Sequence, residues 1–319
     1  MLQAFYLTTS LILDLMNEPR RFAKITDYHR FANLPAPKHP LISLVDYSQV
    51  RYPADKEGLR LMHSYYTIGL KRNVPYKFYY GQQEYDFDEG LMTFIAPNQV
   101  IRMAENPNVG TGKPSGYLLL IHPDFLWNTP LAQKMESFEF FGYATHEALF
   151  LSEKEEQTII DLLLNIGREY EGNLDKFSHK IIISQIEMIL NYAERFYERQ
   201  FITRNKANHE VLGKLEALLT EYFAQDDPDF TLPKVEYVAS ELNLSANYLS
   251  SLLKSLTGSS TQQHIHQKLI EKAKERLSTT SLSVSEIAYS LGFERPASFT
   301  KLFKNKTEMS PLEFRRSFN

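Results

Sequence analysis

Between residues 40 and 122, apolar and polar positions come in short runs punctuated by Pro, Gly, Asn or Asp: LISLVDYS, LRLMHSYYTIGL, YKFYYG, LMTFIAP, NQVIRM and GYLLLIHP. Each run is rich in β-branched or aromatic side chains, the composition of strands separated by turns. So many short strands packed closely along the chain predict a sandwich or barrel. After His122 the pattern lengthens to a helical period. SEKEEQTIIDLLLNIGREY opens with Ser152 and has Glu155 three positions on, a capping-box start. FSHKIIISQIEMILNYAERFYERQF predicts a second, longer helix. Along it Ile182, Ile186, Ile189, Ala193 and Phe196 recur at 4-3-4-3 spacing. Such a seam packs either on its own body or on another helix, and the expectation is that it pairs two subunits in a homodimer. The polar stretch TRNKANHE then reads as a joint, followed by a helix over about 208–224 and an acidic turn, AQDDPDF.

The last part of the chain repeats itself. YVASELNLSANYLSSLLKSLTGSS aligns with EIAYSLGFERPASFTKLFKNKTEMS. Ala239 matches Ala288 and Leu242 matches Leu291. After one inserted residue, Leu249 matches Phe299, Leu252 matches Leu302, Leu253 matches Phe303, Lys254 matches Lys304 and Thr257 matches Thr307. Each copy predicts a short helix, a corner at Asn243 or Gly292, an apolar residue (Leu244 or Phe293) and a second helix. Asn and Gly tolerate the left-handed backbone such a corner needs, and Pro296 suits a helix start because its missing N–H costs nothing there. This is the pattern of a helix-turn-helix used twice, over about 235–257 and 284–306. The helix TQQHIHQKLIEKAKERL joins the copies.

At about 100° per residue the second helix of each copy separates into two faces. Leu249, Leu252, Leu253 and Leu256 face inward in the first copy, and Phe299, Leu302 and Phe303 in the second. The outward sets are Asn247, Ser250, Ser251 and Lys254, and Ala297, Thr300, Lys301 and Lys304, with Ser298 beside them. They are small, hydrogen-bonding or cationic and carry no acid, as a surface entering the major groove of double-stranded DNA requires. An ordinary helical hairpin with solvated lysines would explain either copy alone; the duplication favours DNA binding. The charge agrees. Residues 230–319 carry 12 Lys and Arg against 8 Asp and Glu, whereas the whole chain of 319 residues is −4, so residues 1–229 carry −8.

VSEIAYSLGFERPASFTKLFKNKTEMSPLEFRR resembles the C-terminal signature of AraC/XylS-type transcriptional regulators. VEYVASELNLSANYLSSLLKSLTGSS resembles their first helix-turn-helix, and IHQKLIEKAKERL their connecting helix. The likeness covers about 230–319. One residue departs from it: Glu308 stands where the family usually has Gly and where the first copy has Gly258. The resemblance implies a module that binds DNA as a monomer, with both recognition helices in successive major-groove segments. It further implies a cupin-like N-terminal β-barrel followed by dimerisation helices. The expected fold class is therefore α+β and multidomain: a cupin-like sensory domain over 1–150, a helical dimerisation segment over 151–205, and an all-α double helix-turn-helix domain over 208–319.

Other chemistry is poorly served. The chain has no cysteine, which excludes disulfides, thiolate metal sites and a cysteine nucleophile and suits a reducing cytoplasm. There is no long apolar run for a membrane span and no signal peptide pattern. The strand region has His63 and His122 but no His-x-His pair, so a cupin metal enzyme lacks its ligands, and neither metal nor cofactor is expected. His122, in IHPDF, reads as structural, and His264 and His266 sit two apart on a helix, pointing to different sides. No GxGxxG, GxxxxGK[ST] or GxSxG occurs, so an enzyme is not expected. The aromatic stretch from His63 to Phe87 is either core or the lining of a small-molecule pocket. The reading is a cytoplasmic DNA-binding transcriptional regulator, controlled by a small-molecule effector or by dimerisation, with RNA polymerase as a further candidate partner. Its rival is a non-enzymatic cupin-like metabolite-binding protein with a vestigial helical tail.

Overall fold

A period of two builds the main sheet. Ile42, Leu44, Ile68, Leu70, Met92, Phe94, Leu119 and Ile121 fall on one face, because residues directly paired across strands share a face. The computed structural model describes residues 19–52, 60–72, 79–80, 83–84, 90–102, 115–143, 147–172, 175–203, 205–225 and 230–317. The chain divides into two units, Met1–Gln200 and Phe201–Asn319.

In the first unit β2 (Ile42–Asp46), β4 (Tyr66–Arg72), β7 (Leu91–Ile95), β9 (Ser115–Ile121) and β10 (Leu149–Phe150) form an antiparallel sheet in the order β10-β7-β4-β9-β2. A second sheet has the order β1-β3-β8, from β1 (Arg20–Phe22), β3 (Arg60–His63) and β8 (Val100–Arg102), with β1 parallel to β3. The run LRLMHSYYTIGL thus supplies strands to two sheets, with a bend at Ser64 and Tyr65. Of YKFYYG, Tyr79–Tyr80 forms β5 and pairs with β6 (Gln83–Glu84). The rest of the aromatic stretch from residue 73 to Phe87, and most of the acidic turn AQDDPDF, lie outside the described residues. Between the two sheets, Phe22 and Leu61 meet Val45, Leu118 and Leu120 in a core with Tyr65 and with Ile25, Tyr28 and Phe31 of α1 (Ile25–Phe31).

Helices cover the apolar face of the main sheet. Short α2 (Pro123–Leu126) and α3 (Pro130–Lys134) lead to α4 (Glu153–Glu171) and α5 (Ser178–Thr203). His122 caps α2, its Nδ1 accepting from the Asp124 N–H at 3.3 Å. The predicted capping box at Ser152 forms, and its Glu155 also receives Arg199 of α5 through two bonds of 3.0 and 2.7 Å. Helix α4 buries Ile159, Leu163 and Ile166, and its Tyr170 hydroxyl accepts the Leu44 N–H of edge strand β2 at 2.7 Å. Helix α4, and α5 as far as Gln200, belong to the same unit as the sheets.

The pairing seam requires correction. Ile182, Ile186, Ile189 and Ala193 are at most 1% exposed in the single chain, and Phe196 is 6%. Helix α5 is already seated on its own body: His179 Nε2 donates to the Phe125 carbonyl at 2.7 Å, and the Tyr197 ring packs on Phe94 and Phe140. A side chain already buried in its own unit cannot also cover a second subunit. The face that α5 leaves exposed carries Ile181 and Met188 instead, and Phe177 just ahead of the helix is exposed too.

The second unit consists of helices among its described residues, beginning with Phe201 and α6 (Asn205–Ala224). Its start lies ahead of the expected residue 208. Phe201 is buried against Tyr248, with ring centroids 5.2 Å apart, and its carbonyl accepts from Asn208 Nδ2 at 2.5 Å. The polar stretch read as a joint is therefore largely helical, α5 ending at Thr203 and α6 starting at Asn205.

Candidate nucleic-acid interface

Two helix pairs are built to one plan. In the first, α7 (Val235–Glu241) is followed by Asn243 at φ 56° and by α8 (Ala246–Thr257). In the second, α9 (Thr261–Thr279) leads to α10 (Val284–Ser290), Gly292 at φ 79° and α11 (Pro296–Thr307). The Leu244 N–H donates to the Ala239 carbonyl at 2.9 Å, and Phe293 repeats this to Ala288 at 3.0 Å. Both corners place a left-handed residue where the sequence repeat puts Asn and Gly.

The two corners differ in what surrounds them. A Cβ on Gly292 would stand 2.9 Å from the Leu232 nitrogen and 3.1 Å from the Phe230 oxygen. The helix starts differ too. Ser245 caps α8, its hydroxyl accepting from the Tyr248 N–H at 3.2 Å, whereas Arg295 at the start of α11 supplies no cap and Pro296 opens that helix.

Arginines tie the second pair to the connecting helix. Arg276 on α9 donates to the Ser290 carbonyl at 3.1 Å and to the Ser290 hydroxyl. Arg315, on α12 (Pro311–Arg316), donates to the Leu277 carbonyl at 3.1 Å and to that of Leu282 at 2.6 Å. These two guanidiniums are therefore committed to structure. Ser283 and Ser310 form capping boxes with Glu286 and Glu313, and the serine backbone N–H holds each carboxyl below the usual range. On α9, His264 Nε2 is bonded to Thr257 Oγ1 at 2.9 Å while His266 Nε2 faces Gln262 Nε2 at 2.8 Å. Burial lowers the pKa of both.

On α8, Leu249, Leu252 and Leu253 are buried while Asn247 and Lys254 are exposed. Ser251 is half-buried. Ser250 is corrected: its hydroxyl is bonded at 3.1 Å to that of buried Thr261 on α9, so it turns toward the connecting helix. On α11, Phe299 and Phe303 are buried, Ala297, Ser298, Lys301 and Lys304 are exposed, and Thr300 is half-buried. Arg295 and Lys306 are also exposed and were missing from the sequence-derived set. Arg295 could have been found from the repeat, which aligns it with the helix-capping Ser245 once the insertion is allowed for. The outer side of α11 therefore carries three lysines with Arg295 at its start, against Lys254 alone on α8. Attraction for phosphate is concentrated on the second pair.

Residues 238–317 match the helix-turn-helix domain family. The chain is similar to the uncharacterised HTH-type transcriptional regulator YfiF of Bacillus subtilis (strain 168), at 34% identity over 143 residues, 44% of this chain and 42% of the relative. It is also similar to the raffinose operon transcriptional regulatory protein RafR of Pediococcus pentosaceus, at 40% identity over 76 residues, 24% of this chain and 27% of the relative. Among solved structures, the C-terminal domain of the two-component response regulator yesN from Fusobacterium nucleatum matches at 31% identity, covering 33% of this chain and 98% of that one with a TM-score of 0.29. The chain spans less than half the length of these two curated relatives.

Proposed function

We propose that this protein is a transcriptional regulator of the AraC type that binds promoter or operator DNA through both of its helix-turn-helix elements, a reading supported by the match of residues 238–317 to a helix-turn-helix domain. One observation carries the reading: two helix pairs share corner geometry and helix ends, and both turn acid-free second helices outward. In the groove, Asn247, Ser251, Ala297, Ser298 and Lys301 are the residues for base edges, and Lys254, Lys304, Lys306 and Arg295 for phosphate. The N-terminal unit is the control part, a cupin-like body whose small-molecule ligand adjusts DNA binding, and RNA polymerase is the partner such control acts on.

Capture and sequencing of genomic DNA by the full chain, followed by gel shifts on the recovered sites, tests this. A shared sequence element bound in preference to random DNA, with affinity falling as salt rises, is expected. Recovery of random fragments only would leave the chain a metabolite-binding protein whose helical tail no longer reads DNA.

A further inference from the structure

The inner face of the main sheet is not uniformly apolar. Thr67, Gly69 and Lys71 alternate along β4, and Thr93 lies opposite Gly69 on β7, so all four share the face that bears Leu118 and Leu120. His63 lies opposite Phe22 across β1 and β3 and joins the same core, and Tyr65 follows at the bend. The rings of His63 and Tyr65 are stacked, 5.1 Å apart at 7°.

His63, Tyr65, Thr67 and Thr93 are each at most 4% exposed. Among the described residues, both ring nitrogens of His63 and the hydroxyls of Tyr65, Thr67 and Thr93 find no hydrogen-bond partner. Buried polar groups are normally paired, and an unpaired one is destabilising. Four on one core point to a polar guest. Buried water could satisfy hydroxyls, but Lys71 asks for something else. Its ammonium sits over the Tyr47 ring at 5.1 Å, with no ion pair among the described residues. Burial pushes its pKa down to about 8, which still leaves it mostly charged at neutral pH, and its charge helps lower that of His63. Gly69 lets Thr93 and Lys71 approach β4 closely, since a Cβ there would lie 2.8 Å from Thr93 Oγ1 and 3.4 Å from Lys71 Cε and would displace them.

We propose that this inner face binds a small hydroxycarboxylate, the carboxylate accepting from Lys71 and the hydroxyls bonding to His63, Tyr65, Thr67 and Thr93. The proposal deepens the control role given above to the N-terminal unit.

D-Glucuronate and D-glucose, which share a ring and differ in the carboxylate, are suitable probes by calorimetric titration of the full chain. Wild type is expected to bind glucuronate at least tenfold more tightly than glucose, and Lys71→Met to lose at least tenfold for glucuronate. Thr93→Val, of similar shape, should bind glucuronate more weakly yet be no less stable than wild type without it. Absence of glucuronate binding, equal affinity for both sugars, or unchanged affinity in K71M overturns the proposal. Were K71M unable to fold, wild-type affinity in both T67V and T93V would overturn it. Gel shifts without sugar are run on the same preparations, so failure of DNA binding and failure of this site appear in separate measurements.

Discussion

Gly258 and Glu308 occupy the same left-handed corner, at φ 75°, ψ 1° and φ 63°, ψ 0°, each closing its helix by an N–H donated to the carbonyl of Lys254 or Lys304 at 2.8 Å. Thr257 and Thr307 complete the likeness, each donating its hydroxyl to the carbonyl four residues back at 2.8 Å. The backbone plan was thus kept in the second copy although the glycine was not.

Replacing that glutamate should therefore stabilise the protein. A Cβ in the left-handed region costs ~1–2 kcal/mol, and the extra freedom of an unfolded glycine returns ~0.5–1 kcal/mol of that. Glu308→Gly is expected to raise the stability of a 201–319 fragment by up to about 1 kcal/mol, measured by urea unfolding. Gly258→Ala should lower it by a similar amount, since nothing stands within 4 Å of a Cβ there and backbone strain acts alone.

Gly292→Ala should be worse than Gly258→Ala in the same assay. Here a positive φ coincides with the Phe230–Leu232 backbone at 2.9–3.1 Å from the added Cβ, and backbone cannot rotate aside as a side chain can. A loss on the order of 2–4 kcal/mol is expected from strain and overpacking together. Equal losses at the two glycines would show that the close approach costs nothing.

On helix α5, Ile186→Asp and Ile189→Asp should unfold the first unit. Both positions are 0% exposed, and an unpaired buried charge costs several kcal/mol. Circular dichroism and sedimentation would show lost structure. Folded monomers arising from a dimeric wild type would instead restore the pairing seam. Ile181→Ser and Met188→Ser, on the exposed face, should change stability by no more than about 0.5 kcal/mol.

What was legible in the sequence follows from how local the signals are. Asn243, Gly292, Ser152 with Glu155, and the repeat itself depend on a few neighbouring residues, and each appears where expected. The partner of a surface is not local. The 4-3-4-3 spacing of Ile182 to Phe196 marks an apolar face without saying which body covers it, and helical angles alone put Ser250 outside although Thr261 draws its hydroxyl inward. The bend at Ser64 and Tyr65 was likewise hidden, because no Gly or Pro interrupts the run from Leu61 to Ile68.

His63 should make the first unit sensitive to acid. Burial, helped by the charge of Lys71, lowers its pKa from 6.5 to about 4. The unfolded chain then takes up the proton first, so the contribution of neutral His63 is complete above its ordinary pKa and is lost as pH falls toward 4. The loss is on the order of 3 kcal/mol. Amide exchange in β3 and β4 should quicken over this range in wild type, and His63→Phe should flatten the dependence. An unchanged slope in the variant would assign the effect to other groups, such as His29 or His39, whose pKa values burial also lowers.

The two recognition-helix lysines should divide by role. Lys301 and Lys304 are both exposed on α11, but Lys301 is nearer the start of the helix, the part that enters the groove and meets base edges. Lys304 lies at the C-terminal end, where it helps lower the pKa of Glu313 on α12 and its carbonyl receives Glu308. Phosphates on the groove wall are its nearer partners. A lysine on guanine O6 or N7 discriminates by about 1–3 kcal/mol, whereas one on phosphate adds a sequence-blind attraction and about one unit of salt slope. Lys301→Ala is therefore expected to relax base preference at one or two positions of the site. Lys304→Ala should weaken specific and random DNA nearly equally and flatten the salt dependence. Site selection with both variants, combined with salt titrations, separates these outcomes, and uniform loss with an unchanged consensus in both would assign Lys301 to phosphate as well.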